Sequence, residues 1–358
     1  MRKLSTVAMF TTLLSMNAFA GDQTINIQGR TGWKYADNDV KKTQVLSSSS
    51  FSVDFLRTTF AGVVTPSVNY YLQTNLLPAS TTADVTDATS DLIFEAYITK
   101  TFSFGTALTV GKRAVLVGGR EFDYVQYDNY TTSAFYDATP ANQVGATLSH
   151  EIAGQTVMAQ LMNGNKDDGK KDVNEKSVNA QSKLGYALAW YGNISNGMIK
   201  PIVAYTVIPQ GKGTGDDRKF KGNDAYMSAG LQFNLPAGLT VETDYDLLTL
   251  KNATTGADTT VKADKKIASM VALVKYDAGA FAPFARFVSD TKESNSVKTY
   301  TRTAYDLGVE FKEAKNDMIR YEIVYSASTV KTDMDTTEVK SSPSSILVGL
   351  KFDAAVLK

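Results

Sequence analysis

Between Tyr300 and Ser328 apolar and polar residues alternate in twos. Tyr305, Leu307, Val309 and Phe311 share one face; Arg302, Ala304, Asp306, Gly308 and Glu310 share the other. After a polar turn, Glu313-Ala314-Lys315-Asn316, Ile319, Tyr321, Ile323 and Tyr325 oppose Arg320, Glu322 and Ser326. Side chains alternate across a strand, so this stretch predicts a hairpin with one apolar and one charged face. A soluble antiparallel sheet gives the same pattern in one hairpin. Here it recurs along nearly the whole chain.

The alternation predicts sixteen strands, over 24–36, 51–63, 68–77, 91–102, 106–113, 143–151, 155–163, 181–192, 198–208, 224–235, 239–250, 265–276, 280–289, 300–312, 317–328 and 344–353. The connections alternate in length. Short ones at 64–67, 103–105, 152–154, 193–197, 236–238, 277–279 and 313–316 carry the Gly, Pro, Asn and Asp of tight turns. Long polar ones span 37–50, 78–90, 114–142, 164–180, 209–223, 251–264, 290–299 and 329–343. Short turns on one rim and long loops on the other predict an all-β, sixteen-stranded antiparallel transmembrane barrel, with periplasmic turns, extracellular loops and both termini periplasmic.

Facing follows from the same period. Ile25, Ile27, Trp33 and Tyr35 point to lipid in the first strand, and Asn26, Gln28, Arg30 and Lys34 to the lumen. Met227, Ala229, Leu231 and Phe233 oppose Tyr226, Ser228, Gln232 and Asn234; Leu239, Val241, Tyr245 and Leu247 oppose Glu242, Asp244 and Asp246. Ile346, Val348, Leu350 and Phe352 oppose Ser345, Gly349 and Lys351. The second strand shifts phase near Leu56-Arg57, as a β-bulge would allow, with Arg57 in the lumen or at a rim. The twelfth, KKIASMVALVKY, reads either way.

Composition adds export. Arg2 and Lys3, an apolar run from Leu4 to Met16 and Ala18-Phe19-Ala20 form a secretory signal over residues 1–20, leaving one barrel domain over 21–358. The apolar run is too short to span a membrane. There is no Cys, and without Arg2 and Lys3 the 37 basic residues fall to 35 against 37 acidic ones, a net charge of −2. That balance argues against nucleic-acid binding. The 18 Tyr and 17 Phe suit aromatic girdles at the bilayer interfaces.

With these features the chain resembles the Gram-negative outer-membrane porins, of both the general trimeric and the phosphate-selective type. DLIFEAYITKTFSFGTALTVGKRAVLVGG (91–119) is similar to their EAY core, and MNGN (162–165) to the NG element after their seventh strand. The resemblance implies an outer-membrane location, contact with lipid and lipopolysaccharide, a homotrimer, and passive diffusion of small hydrophilic solutes and ions without a cofactor. It also implies that the longest connection, 114–142, is the third loop that folds inward as a constriction. Gly118 and Gly119 permit a bend there, Glu121, Asp123, Asp128 and Asp137 supply acid, and Arg120, Phe122, Tyr124, Tyr127, Tyr130, Phe135 and Tyr136 could pack the loop to the wall. An outward loop is the alternative. One departure is the ending: porins commonly finish on an aromatic residue, whereas Phe352 is followed by DAAVLK.

On the wall, Arg30, Arg286, Arg302, Arg320 and Lys351 lie on strands that adjoin once the barrel closes. Arg113 and Lys200 add charge elsewhere, against the acidic ladder Glu242, Asp244 and Asp246. Opposed charge rings would set a transverse field; pairing across strands, as between Glu310 and Arg320, is the competing use. Two rivals remain: an anion- or phosphate-selective pore, against which the acidic residues count, and a plugged structural or adhesive barrel. Enzymatic readings find no support. The single His150 sits beside Ser149 at a strand end, which is not triad geometry. There is no metal cluster or dinucleotide loop, and NGNKDDGKKD (163–172) lacks calcium-loop spacing.

Overall fold

A strand that buries one face in lipid and wets the other can satisfy its backbone only by pairing on both sides, so the sheet must close. The computed structural model describes residues 22–38, 46–76, 92–124, 128–164, 184–209, 223–255, 258–295, 297–313, 316–334 and 337–357. The signal segment and Tyr127 lie outside them. The strands are β1 (Gln23–Asn38), β2 (Leu46–Thr65), β3 (Val68–Asn75), β4 (Ile93–Thr101), β5 (Thr106–Ala114), β6 (Asn142–Ile152), β7 (Gln155–Asn163) and β8 (Leu184–Tyr191). They continue as β9 (Ile199–Pro209), β10 (Asn223–Leu235), β11 (Leu239–Thr255), β12 (Asp258–Tyr276), β13 (Phe281–Ser294), β14 (Val297–Glu313), β15 (Asn316–Met334), β16 (Thr337–Ser341) and β17 (Ser344–Leu357).

Each strand pairs antiparallel with its neighbours in sequence, and β17 pairs with both β15 and β1, closing the ring. β16 pairs with the far end of β15, from Val330 to Met334, and is separated from β17 by a break at Pro343. β16 and β17 are thus one stave, and the described residues form a 16-stranded barrel. All sixteen expected strands are present. Three expected loops are partly ladder. β11 and β12 extend to Thr255 and from Asp258, β13 and β14 to Ser294 and from Val297, and β15 and β16 form a hairpin tip. In water a paired strand needs no apolar face, so the period that marks the membrane band stops before the ladder does.

The facing agrees with the alternation. Tyr305 and Leu307 are 43% and 52% exposed on the outside while Asp306 is fully buried inside. Met227, Tyr245, Ile323 and Val348 point out; Tyr226, Asp246, Glu322 and Lys351 are buried within. The ambiguous β12 resolves with Ile267, Ser269 and Val271 inward and Met270 and Val274 outward. Its inner face is apolar because it meets other protein, which is why its pattern could not choose. The phase shift of β2 lies slightly earlier than expected: Arg30 pairs with Phe55 and Thr31 with Val53, so Asp54 is the extra residue. This bulge turns Arg57 into the lumen side, where it is buried with its guanidinium 4.6 Å from the Phe55 ring and 4.0 Å from the Phe94 ring. Aromatic pairs mark both rims: Trp33 stacks with Tyr35, and Phe102 with Phe104, at centroid distances of 6.3 and 5.7 Å.

The tail after Phe352 is strand. Asp353 pairs with Gln28, Ala354 with Ile27 and Leu357 with Ile25. Asp353 also accepts hydrogen bonds from Asn26 at 2.5 Å and Gln28 at 2.9 Å. Asp353 to Leu357 lengthen the closing seam.

Candidate functional site

The connection between β5 and β6 runs inside the barrel. Its first residues, Val115, Leu116 and Val117, are at most 6% exposed. They pack with Phe135 of the same loop and with Met162, Ala187, Ala189, Ala204, Ile208, Tyr226, Leu248 and Ile267, inward side chains of β7 to β12. Leu116 N–H donates to the Gln160 carboxamide at 3.1 Å, and the Thr206 hydroxyl donates to the Leu116 carbonyl. Burying side chains of this size is worth about 1.5–3 kcal/mol each. The chain therefore turns inward directly after Ala114, earlier than the expected Gly118 hinge. The glycines serve the next step. Gly118 and Gly119 have φ of 76° and 88°, and a Cβ on Gly118 would sit 2.7 Å from Ala204 Cβ. Only glycine lets the backbone turn this close to the wall.

A 3-10 turn follows at Arg120–Asp123, and a short helix, α1 (Ala134–Ala138), later. Both are fixed by wall carboxylates. Asp244 accepts from the backbone N–H of Arg120 at 2.7 Å and of Glu121 at 2.9 Å. The Tyr124 hydroxyl donates to Glu242. Asp306 accepts from Thr131 N–H at 3.2 Å and its hydroxyl at 2.7 Å; Asp290 accepts from Ala134 N–H at 3.0 Å. Asp246 accepts from Ser228 on the neighbouring strand. The Ser133 hydroxyl caps α1 by accepting from Tyr136 N–H at 3.0 Å. Such caps satisfy the orphan amides of a helix start.

Glu121 joins the two halves of the loop. Its carboxylate accepts from Ser133 N–H at 2.8 Å and the Ser133 hydroxyl at 2.5 Å, and forms an ion pair with Arg286. Glu121 is 1% exposed. It is an anchor, and no gap separates it from the wall arginine. Asp123 pairs with Arg120 at 2.7 Å, and the Arg120 guanidinium also donates to the Lys200 carbonyl.

Arg30, Arg302, Arg320 and Lys351 on the wall are likewise each paired with carboxylates, so these four do not form an open basic rail. Lys351, fully buried, lies 2.6 Å from Glu310, 2.8 Å from Asp128 and 3.0 Å from Glu322. It also donates to the Tyr130 hydroxyl, which in turn donates to Glu322 at 2.5 Å. Arg320 is 3.6 Å from Glu310 and 3.9 Å from Asp128. Arg302 pairs with Asp290 at 2.6 Å and donates to the Thr132 carbonyl; Arg30 pairs with Asp54 at 3.1 Å. In a low-dielectric interior a cation next to several carboxylates is the economical arrangement.

The contacts just described tie the loop to β7–β15 and β17. The inner wall from β2 to β5 has its own set. Tyr71 and Tyr97 stack at 4.9 Å, Arg113 lies 5.7 Å from the Tyr97 ring, and Glu95 accepts from Ala114 N–H at 3.0 Å. Nearer the long-loop rim, Tyr130 and Thr131 of the loop bound a cavity of about 230 Å³ with Arg30, Lys34, Asp54, Ser326 and Ser345. Sequence reasoning missed the apolar inner face. Its signal was visible in Gly185, Ala187 and Ala189, small residues at the inward positions of β8 that carry no charge. His150 accepts or donates one hydrogen bond, at 2.8 Å to Thr106, as a rim residue. Among the described residues no cluster suits a metal ion.

No curated relative matches the chain in sequence. Solved structures similar in fold include outer-membrane expressed OmpT of Vibrio cholerae (TM-score 0.61, 12% identity, 94% of this chain and 99% of that one). Others are the outer membrane channel DcaP of Acinetobacter baumannii (0.66, 11%, 92% and 98%) and an anion-selective porin from Comamonas acidovorans (0.60, 10%, 93% and 100%). The family model for phosphate-selective porin O and P matches residues 25–238. That match covers more than half of the sequence, so a closed polar-lined barrel with a loop strapped inside it has its family: the chain belongs to the phosphate-selective porin O and P family and is an outer-membrane porin.

Proposed function

We propose that the loop between β5 and β6 is the constriction of the channel, and that small hydrophilic solutes and ions pass on the side it leaves open, along β2 to β5. One observation carries this reading: the loop is packed onto one part of the inner wall by apolar contacts and carboxylate anchors, leaving Tyr71, Tyr97, Glu95 and Arg113 on the opposite part. Residues 1–20 are removed on export, leaving the barrel as the one domain, and the long-loop rim faces outward, toward lipopolysaccharide. The protein assembles as a homotrimer; one of the similar structures is a trimer form of in-vitro folded OmpT of Vibrio cholerae.

A weak anion preference follows from burial. The acidic residues that argue against it are at most 3% exposed: Glu121, Asp244, Asp290, Asp306, Glu310 and Glu322 hold the loop or the basic side chains, and Asp246 accepts from Ser228. Charge withdrawn from water by pairing contributes little to the field a passing ion meets. In planar bilayers the protein should give stable conductance, with a reversal potential on the anion side in a KCl gradient. Deleting Gly118–Thr132 should raise single-channel conductance. Unchanged conductance after the deletion would refute the constriction, and the absence of stable current would favour a plugged barrel.

A further inference from the structure

We propose that the cavity bounded by Tyr130 and Thr131 and by β1, β2, β15 and β17 is a binding subsite for a small hydroxylated carboxylate, a sugar acid or hydroxy acid. Its volume is about 230 Å³. Pockets for drug-sized ligands measure roughly 300–1,000 Å³, so this smaller space suits a solute of a few carbons with its hydroxyls.

The lining has two chemistries. The first is one uncommitted cation. Arg30 is paired with Asp54 at 3.1 Å, which leaves that pair neutral. Lys34 lies on the same face of β1, is exposed, and has no ion-pair partner among the described residues. A single negative group is therefore attracted to Lys34, whereas a cation gains nothing there. The second is a row of free hydroxyls. Ser326 pairs with Ser345 across β15 and β17, both facing inward with Ala36 of β1, and Ser328 follows on the same face. Among the described residues these side-chain hydroxyls make no hydrogen bond within the protein, so each has a donor and two acceptor positions to offer. The Tyr130 ring closes one side of the cavity but is already stacked on Phe284 at 5.2 Å with Arg30 over it, and its hydroxyl is committed to Glu322 and Lys351. A carboxylate on Lys34 with hydroxyls over Ser326 and Ser345 uses both features at once. A plain anion uses only the first, and a neutral sugar only the second.

The proposal rests on the porin reading for how solute reaches the cavity, but binding can be measured without conduction. Calorimetry on the detergent-extracted full-length protein would compare gluconate with acetate, glucose and inorganic phosphate. Gluconate should bind at least tenfold tighter than any of the other three. Lys34→Gln should weaken gluconate and acetate alike, by at least fivefold. The double substitution Ser326→Ala, Ser345→Ala should weaken gluconate at least fivefold and leave acetate within twofold. Lys100→Gln, at the opposite rim, should change neither. The site is overturned if gluconate binds no tighter than acetate or phosphate, if Lys34→Gln has no effect, or if Lys100→Gln has an equal one. It is also overturned if the serine substitutions leave gluconate unchanged. In bilayers gluconate should block the current in the same order. Gluconate binding without any current would refute the channel reading and support the site; current without preferential gluconate binding would do the reverse.

Discussion

Asp244 offers the sharpest test of how the loop is held. It accepts two backbone hydrogen bonds, from Arg120 at 2.7 Å and Glu121 at 2.9 Å, and is 3% exposed. Hydrogen bonds to a charged acceptor contribute roughly 1.5–3 kcal/mol each. Asp244→Ala removes both and strands two amides against the wall, so this anchor should weaken by roughly 3–6 kcal/mol. At tenfold per 1.4 kcal/mol, local opening becomes about 10²- to 10⁴-fold more frequent. The barrel itself should be unaffected, because its ladder closes without the loop.

The readout is labelling. The sequence contains no Cys, so Val117→Cys gives a single thiol at a position that is 1% exposed. A water-soluble thiol reagent reaches it only when the first part of the loop leaves the wall. Adding Asp244→Ala should accelerate labelling at least a hundredfold. Asp244→Asn keeps one acceptor and should fall between. The rest of the loop stays docked through Asp306 and Asp290, so a thiol placed at Phe135→Cys, at a fully buried position, should be accelerated far less. Less than tenfold acceleration at Val117→Cys would refute the anchoring role and leave apolar packing as the loop's main support.

Three further outcomes are expected. Lys351→Met leaves Glu310, Glu322 and Asp128 around an empty centre and should destabilise the barrel by roughly 3–5 kcal/mol, read as a lower unfolding temperature in detergent; an unchanged temperature would refute it. At the turn after β12, the hydrogen bond from Lys312 at 2.9 Å holds the Asp277 carboxyl below its ordinary 3.8, so its stabilisation is complete above that pH and lost as pH falls through the lower folded value. Lys312→Ala should move the Asp277 NMR titration back up toward 3.8, with a stability effect under about 1 kcal/mol because the pair is solvent-exposed. Deleting residues 353–358 removes the bonds of Asp353 to Asn26 and Gln28 and should lower the heat resistance of the barrel; equal resistance would mean that the tail does not seal the seam.

The staves were legible because each has a lipid face and a wet face, and period two is all that this requires. Where both faces are apolar the signal fails. Ile267 and Val271 look like lipid-facing residues in sequence, but they point inward onto other protein. Where both faces are wet it fails the other way, and the β15–β16 hairpin read as a loop. The position of the inner loop was legible from its length and from family resemblance. Its anchoring was not, because each anchor joins residues far apart in the chain: Arg120 to Asp244, Glu121 to Arg286, Asp128 to Lys351. A carboxylate that lines a pore and one that ties down a loop have the same place in a strand pattern. The bulge was placed two residues late for a related reason. Its extra residue, Asp54, is polar and bonds to Arg30 across the strands, so the phase error becomes visible only further along.

The division of the inner wall explains why one loop can stay inside a watery barrel. A segment crossing the lumen must satisfy its amides without a sheet of its own, because unpaired buried backbone is costly. Along β7 to β10 there is little polar lining to compete with packing: Ala187, Ala189 and Ala204 leave room for Val115 to Val117, and burial drives the contact. From β11 onward the wall turns acidic, and Asp244, Asp290 and Asp306 accept the N–H groups of Arg120, Glu121, Ala134 and Thr131, which have no ladder partner. Carboxylates are the right acceptors, since two oxygens can serve two amides at once, as Asp244 does. Carboxylates buried here draw in cations: Arg302 pairs with Asp290, Arg286 with the loop's own Glu121, and Lys351 with Glu310, Glu322 and Asp128. The basic side chains therefore follow from the acidic anchors, and the anchors from the loop. On the proposed reading, what a passing solute meets is the remainder, with Arg113 and Glu95 on the far wall, Asp123 at the loop edge and Lys34 above. Selectivity should accordingly respond to changes in this small remainder far more than to the many charges already spent on structure.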